Sequence, residues 1–262
     1  MTTTLPTPGR RVPPPAGNGA PKAAPRRTLA SMVAPTTGEI EPAIILVVGP
    51  PGVGKTSFAA SAPRPLMILT DRGGGRSVPR AIPRVLPAAW DDLPGDRSSQ
   101  ATVMGALRGL LLDEHDRQTA VIDTMNRGQA LLWTWLCGLH KVTSVEAIGG
   151  GFGKGFNAAL EKIEELISLL FELREQRGMN VILTSHQHVK TANNPMGDEY
   201  ERWQLQLNDK AAGALVAAAD TVIFAEPEVV ARVEGQGPAQ RKRGGSTGII
   251  KAHVRPRQGL DA

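Results

Sequence analysis

The sequence predicts an α/β domain built around a mostly parallel sheet. Three observations carry that expectation. Apolar runs of strand length recur between residues 43 and 225, segments of helical periodicity separate them, and a glycine-rich turn follows the first run directly. Unbroken apolar runs suit strands buried on both faces, and strands alternating with helices form parallel sheets.

Residues 1–42 come before this pattern. They hold nine prolines, among them Pro13-Pro14-Pro15, and show no apolar period, so they read as a disordered, basic arm. The first strand is Ala43-Ile44-Ile45-Leu46-Val47-Val48, and the second is Leu66-Met67-Ile68-Leu69-Thr70. A helix capped by Ser98 or Ser99 is expected to run to about Glu114, with Val103, Leu107, Leu110 and Leu111 on one face. Thr119-Ala120-Val121-Ile122-Asp123 is the third strand. Residues 157–177 form the clearest helix: Asn157 is placed to cap it, Leu160, Ile163, Ile167 and Leu170 make the stripe, and Gly178 stops it. Asn180-Val181-Ile182-Leu183-Thr184 and Thr221-Val222-Ile223-Phe224-Ala225 complete the set. Beyond them, β-prone stretches at 229–233 and 248–254 flank a segment rich in Gly and Arg, read as a hairpin with a long basic loop. The expected division is an arm over 1–42, a nucleotide-binding domain over 43–226, and a basic hairpin and tail over 227–262.

Composition narrows the function classes. Of 262 residues, 41% are hydrophobic, enough for a sizeable core. Aromatics make up only 4%, which weakens any reading built on base stacking. The single cysteine, Cys137, excludes an internal disulfide framework and a Cys-based zinc cluster, and fits a cytoplasmic setting. No apolar run is long enough to suggest a membrane span or a secretory signal. The net charge of +5 is unevenly spread: residues 1–42 carry +3, 231–262 carry +5, and the stretch between carries −3. Basic ends on a mildly acidic body suit either polyanion binding or plain solvation.

Gly49-Pro50-Pro51-Gly52-Val53-Gly54-Lys55-Thr56-Ser57 contains G-x-x-x-x-G-K-[ST] without a gap, directly after a buried strand. Glycines let successive backbone N–H groups turn toward phosphate oxygens, and the following helix N-terminus adds to that field. Lys55 is expected to reach the β- and γ-phosphates of ATP, and the Thr56 hydroxyl to ligate Mg²⁺. Asp123, at the end of its strand, is the expected second magnesium group, against the alternative of capping the next helix. Thr124 follows it, so no Glu stands beside the magnesium carboxylate and the general base must come from elsewhere. Asp71, in Thr70-Asp71-Arg72-Gly73-Gly74-Gly75, is either that base or an Asp making a local turn. His186, after the fourth strand, is either a γ-phosphate sensor or a satisfied hydrogen-bonder.

This ordered series resembles the phage and bacterial AAA-type nucleotide-binding family with a RecA-like P-loop core, which includes phage single-strand annealing and recombination ATPases. The resemblance runs over residues 43–226. It takes in the P-loop, the strand ending at Asp71, Val121-Ile122-Asp123-Thr124, Gly151-Phe152-Gly153-Lys154-Gly155-Phe156, residues 178–186, Glu201-Arg202-Trp203, and Ala218-Ala219-Asp220. It implies ATP hydrolysis, homo-oligomers in a ring or filament, and single-stranded DNA as partner, with Lys154, Lys190 and Arg202 on loops at 143–156 and 187–210 that face the DNA. In such an arrangement Trp203 either anchors its loop or stacks on a base, and γ-phosphate at His186 orders residues 187–203. The chain departs from the family in two places. Asp71-Arg72 stands where an Asp-Thr-Glu-Gly pattern is usual, and the chain ends at Asp261-Ala262 where the family continues past a basic hairpin into an Ala-Lys-Asn-Arg-like motif.

The expected function is a single-stranded-DNA-dependent ATPase in phage or prophage recombination or annealing. A nucleotide-gated DNA-binding module with little hydrolysis is the alternative. A small-molecule P-loop kinase is a weaker one, because no lid of clustered arginines stands between the second and third strands.

Overall fold

In a computed structural model, residues 41–71, 73, 76, 78–95, 100–192, 199–234 and 241–254 are described. They belong to one compact unit, 41–262. The arm over 1–40, the Ser98/Ser99 cap, Arg72, Gly74, Gly75 and residues 235–240 of the expected basic loop lie outside the described residues.

The strands and helices follow in the order β1 (Ile44–Val48), α1 (Lys55–Ala60), β2 (Pro65–Leu69), β3 (Arg84–Val85), α2 (Val103–Leu112), β4 (Thr119–Asp123), α3 (Met125–His140) and a 3₁₀ segment (Val145–Gly150). Next come α4 (Lys154–Arg177), β5 (Asn180–Ser185), β6 (Gln187–Ala192), β7 (Tyr200–Leu205), α5 (Asp209–Ala218), β8 (Thr221–Glu234) and β9 (Arg241–His253). Among the described residues the main sheet runs β3-β2-β4-β5-β1-β8-β9. All its pairings are parallel except β8 with β9. The mostly parallel α/β fold with a C-terminal antiparallel pair is therefore as expected.

Residue parity along the strands builds two cores. Ile44, Leu46, Val48, Ile68, Ala120 and Ile122 face a large cluster that includes Leu107 of α2, Leu132 of α3, Ile163 and Leu170 of α4, and Leu215 of α5. Val47, Met67, Leu69, Val121 and Ile182 face the other side, with Ala59 of α1 and Val78. Both faces are covered, which is why these strands read as continuous apolar runs. The parallel strands also leave their carboxyl ends along one edge, where β1, β4 and β5 deliver Gly49, Asp123 and Ser185 side by side.

Four local expectations are corrected. The helix expected from Ser98 or Ser99 begins at Val103, because Thr102 takes the cap: its hydroxyl accepts from Gly105 N at 3.0 Å. The helix expected from Asn157 begins one turn earlier, at Lys154, after Gly153 in the left-handed region. Gly155 in its first turn lies against the 3₁₀ segment, where a Cβ would stand 1.8 Å from the Val145 carbonyl oxygen. Close packing thus requires a glycine that propensity counts against a helix. The C-terminal segment is not two short stretches around a long loop: β8 continues the fifth core strand to Glu234, and Arg241-Lys242-Arg243-Gly244-Gly245 lie in β9. Its ladder to β8 sets the conformation where composition argues against a strand. Finally, the expected loop after His186 is an antiparallel hairpin, β6–β7, pairing Gln187 with Leu205 through Ala192 with Tyr200.

Candidate nucleotide site

The turn after β1 is shaped by its neighbours. Gly49 N donates to the Ser185 carbonyl at 3.2 Å. A Cβ on Gly49 would stand 2.4 Å from the Ala225 carbonyl oxygen of β8, so only glycine fits between the two strands. Gly52 and Gly54 take φ of +80° and +91°, the left-handed region that turns the loop back on itself. Val53 between them is buried and pins the loop to the body.

Lys55 is buried, and its ammonium lies across this loop. Nζ donates to the carbonyls of Gly49 at 2.7 Å and Pro50 at 2.9 Å, and stands 3.3 Å from Nδ1 of His186. Burial pushes its pKa down from 10.5 to about 8, partly opposed by the Asp123 carboxylate. Burial, and then the Lys55 charge, lower the His186 pKa below its ordinary value, so the imidazole is neutral and Nδ1 can accept.

Asp123 is 2% exposed and held by two hydroxyls: Thr56 Oγ1 donates to Oδ2 at 2.8 Å, and Thr184 Oγ1 donates to Oδ1 at 2.5 Å. The capping alternative does not describe it, since α3 has no side-chain cap and the residue at its N-cap is Thr124. One carboxylate beside one hydroxyl at a phosphate turn fits Mg²⁺, which keeps most of its shell as water and phosphate oxygen. Among the described residues no group of three or more His, Cys, Asp or Glu offers an all-protein metal cage. A cavity of about 400 Å³ joins Lys55, Thr56, Asp71, Asp123 and His186 over Gly52 and Gly54. Asp71 lines the cavity and also makes the local turn bond, accepting from Gly73 N at 2.9 Å. A second cavity of about 280 Å³ continues past Pro50 and Pro51 to Pro227, Ile249 and Ile250 of the β8–β9 pair.

The family model described as AAA domain matches residues 41–253. The chain belongs to the AAA-domain family. No curated protein sequence matches it. Among solved structures it is similar to the RadB recombinase, at 12% identity and a TM-score of 0.40, covering 84% of this chain and 90% of that one. It is also similar to the flagellar accessory protein FlaH from Methanocaldococcus jannaschii, at 10% identity and a TM-score of 0.36, covering 78% of this chain and 77% of that one. Both likenesses are too distant to carry a functional assignment.

The remaining candidate residues of this AAA domain lie outside the cavity. Lys154 opens α4, and its Nζ donates to the Gly149 carbonyl at 3.0 Å. Lys190 and Arg202 face each other across the β6–β7 ladder, and Lys190 pairs with Asp209 at 2.5 Å. Trp203 is 37% exposed and lies opposite the more exposed Val189, so its ring is only partly packed. Sequence reasoning missed the partnership of Thr184 with Asp123, the bond from Thr70 Oγ1 to the Thr124 carbonyl at 2.6 Å, and the side chains of Asn126 and Gln129. A polar residue closing an otherwise apolar strand was the available signal for Thr70 and Thr184. Asn126 and Gln129 left none. Among the described residues no helix is long and apolar enough to cross a membrane.

Proposed function

We propose that this AAA domain binds ATP with Mg²⁺ and hydrolyses it, and that its nucleotide state governs binding of single-stranded DNA in recombination or annealing. One observation carries the reading: Lys55, Thr56, Asp123 and His186 converge on the left-handed glycine turn at the carboxyl edge of a parallel sheet. In this reading the loop amides and Lys55 hold the β- and γ-phosphates, and Thr56 and Asp123 hold the magnesium. The ion supplies charge neutralisation at the transferring phosphoryl group. Water attacks the γ-phosphorus and gives its proton to the Asp71 carboxylate as the bond to the β-phosphate oxygen breaks, leaving ADP and phosphate. The β6–β7 hairpin, with Lys190, Arg202 and exposed Trp203, is the element proposed to meet the DNA, and Lys154 adds a cation at the start of α4. Assembly into a homo-oligomer in the cytoplasm of a bacterial or infected host cell belongs to the same proposal.

A second reading keeps binding and gating but almost no turnover. The turn bond from Gly73 N to Asp71 favours it, because it engages one carboxylate oxygen with the backbone rather than with an attacking water. The test is ATP hydrolysis with and without single-stranded DNA, for the wild type and for Lys55→Ala and Asp71→Ala. Turnover that Lys55→Ala abolishes supports the ATPase, and full turnover in Asp71→Ala removes that residue as base. Tight Mg·ATP binding without turnover selects the second reading.

A further inference from the structure

Asn126 is the second residue of α3, and its amide is used at both ends. Oδ1 accepts from His186 N at 2.7 Å and from Ser185 Oγ at 3.3 Å. Nδ2 donates to the Gln206 carbonyl at 2.6 Å. Ser185 and His186 enter the β6–β7 hairpin, and Gln206 leaves it. The ring is closed by Gln206 N donating to the His186 carbonyl at 2.9 Å. One turn along α3, buried Gln129 repeats the contact, accepting from Asn208 N at 2.9 Å. The helix that starts directly after Asp123 and Thr124 thus holds both roots of the hairpin through two side-chain amides.

The opposite side of the same junction touches the phosphate turn. Ser185 O accepts from Gly49 N, and His186 Nδ1 faces the Lys55 ammonium. A ligand that draws Lys55 toward a γ-phosphate alters its contact with His186. The His186 backbone is tied to the hairpin exit by Asn126 and by the Gln206 bond, so a shift there has a direct covalent and hydrogen-bonded route into β6 and β7.

We infer that Asn126 is a positioning residue that couples occupancy of the γ-phosphate position to the conformation of the β6–β7 hairpin. This rests on the proposed nucleotide site but not on DNA being the hairpin's partner. Coupling of this kind is reciprocal: whatever binds the hairpin changes nucleotide affinity by the same factor.

Asn126→Asp divides the junction chemically. The carboxylate still accepts from His186 N and Ser185 Oγ, but it can no longer donate to the Gln206 carbonyl and it repels that oxygen. Asn126→Ser removes both contacts and is the second variant should the first fold poorly, with thermal melting as the control. Trp203 supplies a reporter on the hairpin itself. It is the most exposed tryptophan, Trp90 and Trp135 being buried and Trp133 half-buried, and Trp203→Phe identifies its signal. The experiment measures acrylamide quenching of Trp203 with Mg²⁺ and either ADP or the β,γ-imido analogue of ATP, together with the affinity for each nucleotide. The wild type is expected to differ between the two nucleotides. In Asn126→Asp the difference disappears while affinity for the analogue stays within about threefold. With oligothymidylate as probe, an analogue-to-ADP affinity ratio in the usual coupling range of about 5–150 falls to within about twofold of unity. A nucleotide-dependent Trp203 signal that survives in both variants overturns the inference. So does a wild type that binds both nucleotides without any change at Trp203, and that result leaves the nucleotide site standing. Failure of the wild type to bind either nucleotide removes the proposed function itself.

Discussion

The Lys55 ammonium and the His186 imidazole stand 3.3 Å apart, with the lysine also donating to the carbonyls of Gly49 and Pro50. The cation that the motif assigns to phosphate is thus engaged by its own loop, in surroundings that lower its pKa to about 8. A phosphate bound here would add its negative charge to that of Asp123 and raise the Lys55 pKa again.

A pH dependence follows from linkage. As pH rises past about 8 the free site progressively loses the Lys55 proton, whereas a nucleotide-bound site is expected to retain it, so binding there takes up as much as one proton. Affinity for Mg·ATP is expected to fall by up to about tenfold per pH unit above that point, one proton being linked to binding. The sign for folding is the reverse. The unfolded chain keeps this proton to about 10.5 and the folded chain only to about 8, so the lysine's contribution to stability improves as pH rises across that window. Calorimetric titrations at several pH values, in buffers of different ionisation enthalpy, measure the proton directly. Zero uptake at pH 9 contradicts the assignment.

Asp123→Asn tests the metal role apart from the fold. The replacement keeps the shape, and the Thr56 and Thr184 hydroxyls can turn to satisfy an amide, so stability is expected to stay within about 1.5 kcal/mol, the scale of one net hydrogen bond. The gain in nucleotide affinity on adding Mg²⁺ should vanish. Nucleotide dissociation constants with Mg²⁺ and with EDTA read this out. An unchanged magnesium effect rules Asp123 out as the metal's carboxylate.

Two glycines are held by sterics rather than by the ligand. Gly49→Ala places a Cβ 2.4 Å from the Ala225 carbonyl oxygen, and Gly155→Ala places one 1.8 Å from that of Val145. Backbone cannot yield as a side chain can, so each should cost at least about 2 kcal/mol, within or above the range for overpacking. Gly178→Ala meets nothing within 4 Å but sits at φ +61°, so its cost is backbone strain alone. Urea denaturation should rank Gly155→Ala and Gly49→Ala as the more damaging pair. Equal costs at all three positions contradict the steric account.

Legibility in the sequence follows the range of the interactions. The phosphate turn could be read because its whole specification lies within nine consecutive residues after a strand. The core strands could be read because both their faces are buried, which leaves unbroken apolar runs such as Ala120-Val121-Ile122. The β6–β7 hairpin and the basic half of β9 could not, because their conformation comes from pairing with a partner strand while Lys190, Arg202, Gly244 and Gly245 resemble loop composition. Thr184 and Asn126 act on partners 61 and 60 residues away, and no local pattern encodes such pairs.

The hairpin's charge yields the last prediction. Lys190 and Arg202 are cross-strand partners, so they present their positive charge together on one face of β6–β7, while Val189 and Trp203 occupy the other. Contact with a single strand through phosphates releases counterions, and each basic residue involved contributes about 0.7 to the slope of log affinity against log salt. Arg202→Ala should weaken oligothymidylate binding and reduce that slope by about one such step. The Lys190 ammonium is paired with Asp209 at 2.5 Å and must leave that carboxylate to reach a phosphate. Asp209→Asn frees it and should tighten binding at low salt, with the gain fading as salt rises. Trp203→Ala should lower affinity without changing the slope, since stacking releases no ions. Fluorescence anisotropy of a labelled oligonucleotide across a salt series separates the three effects. A slope that none of the substitutions alters would place the nucleic-acid contact elsewhere on the chain.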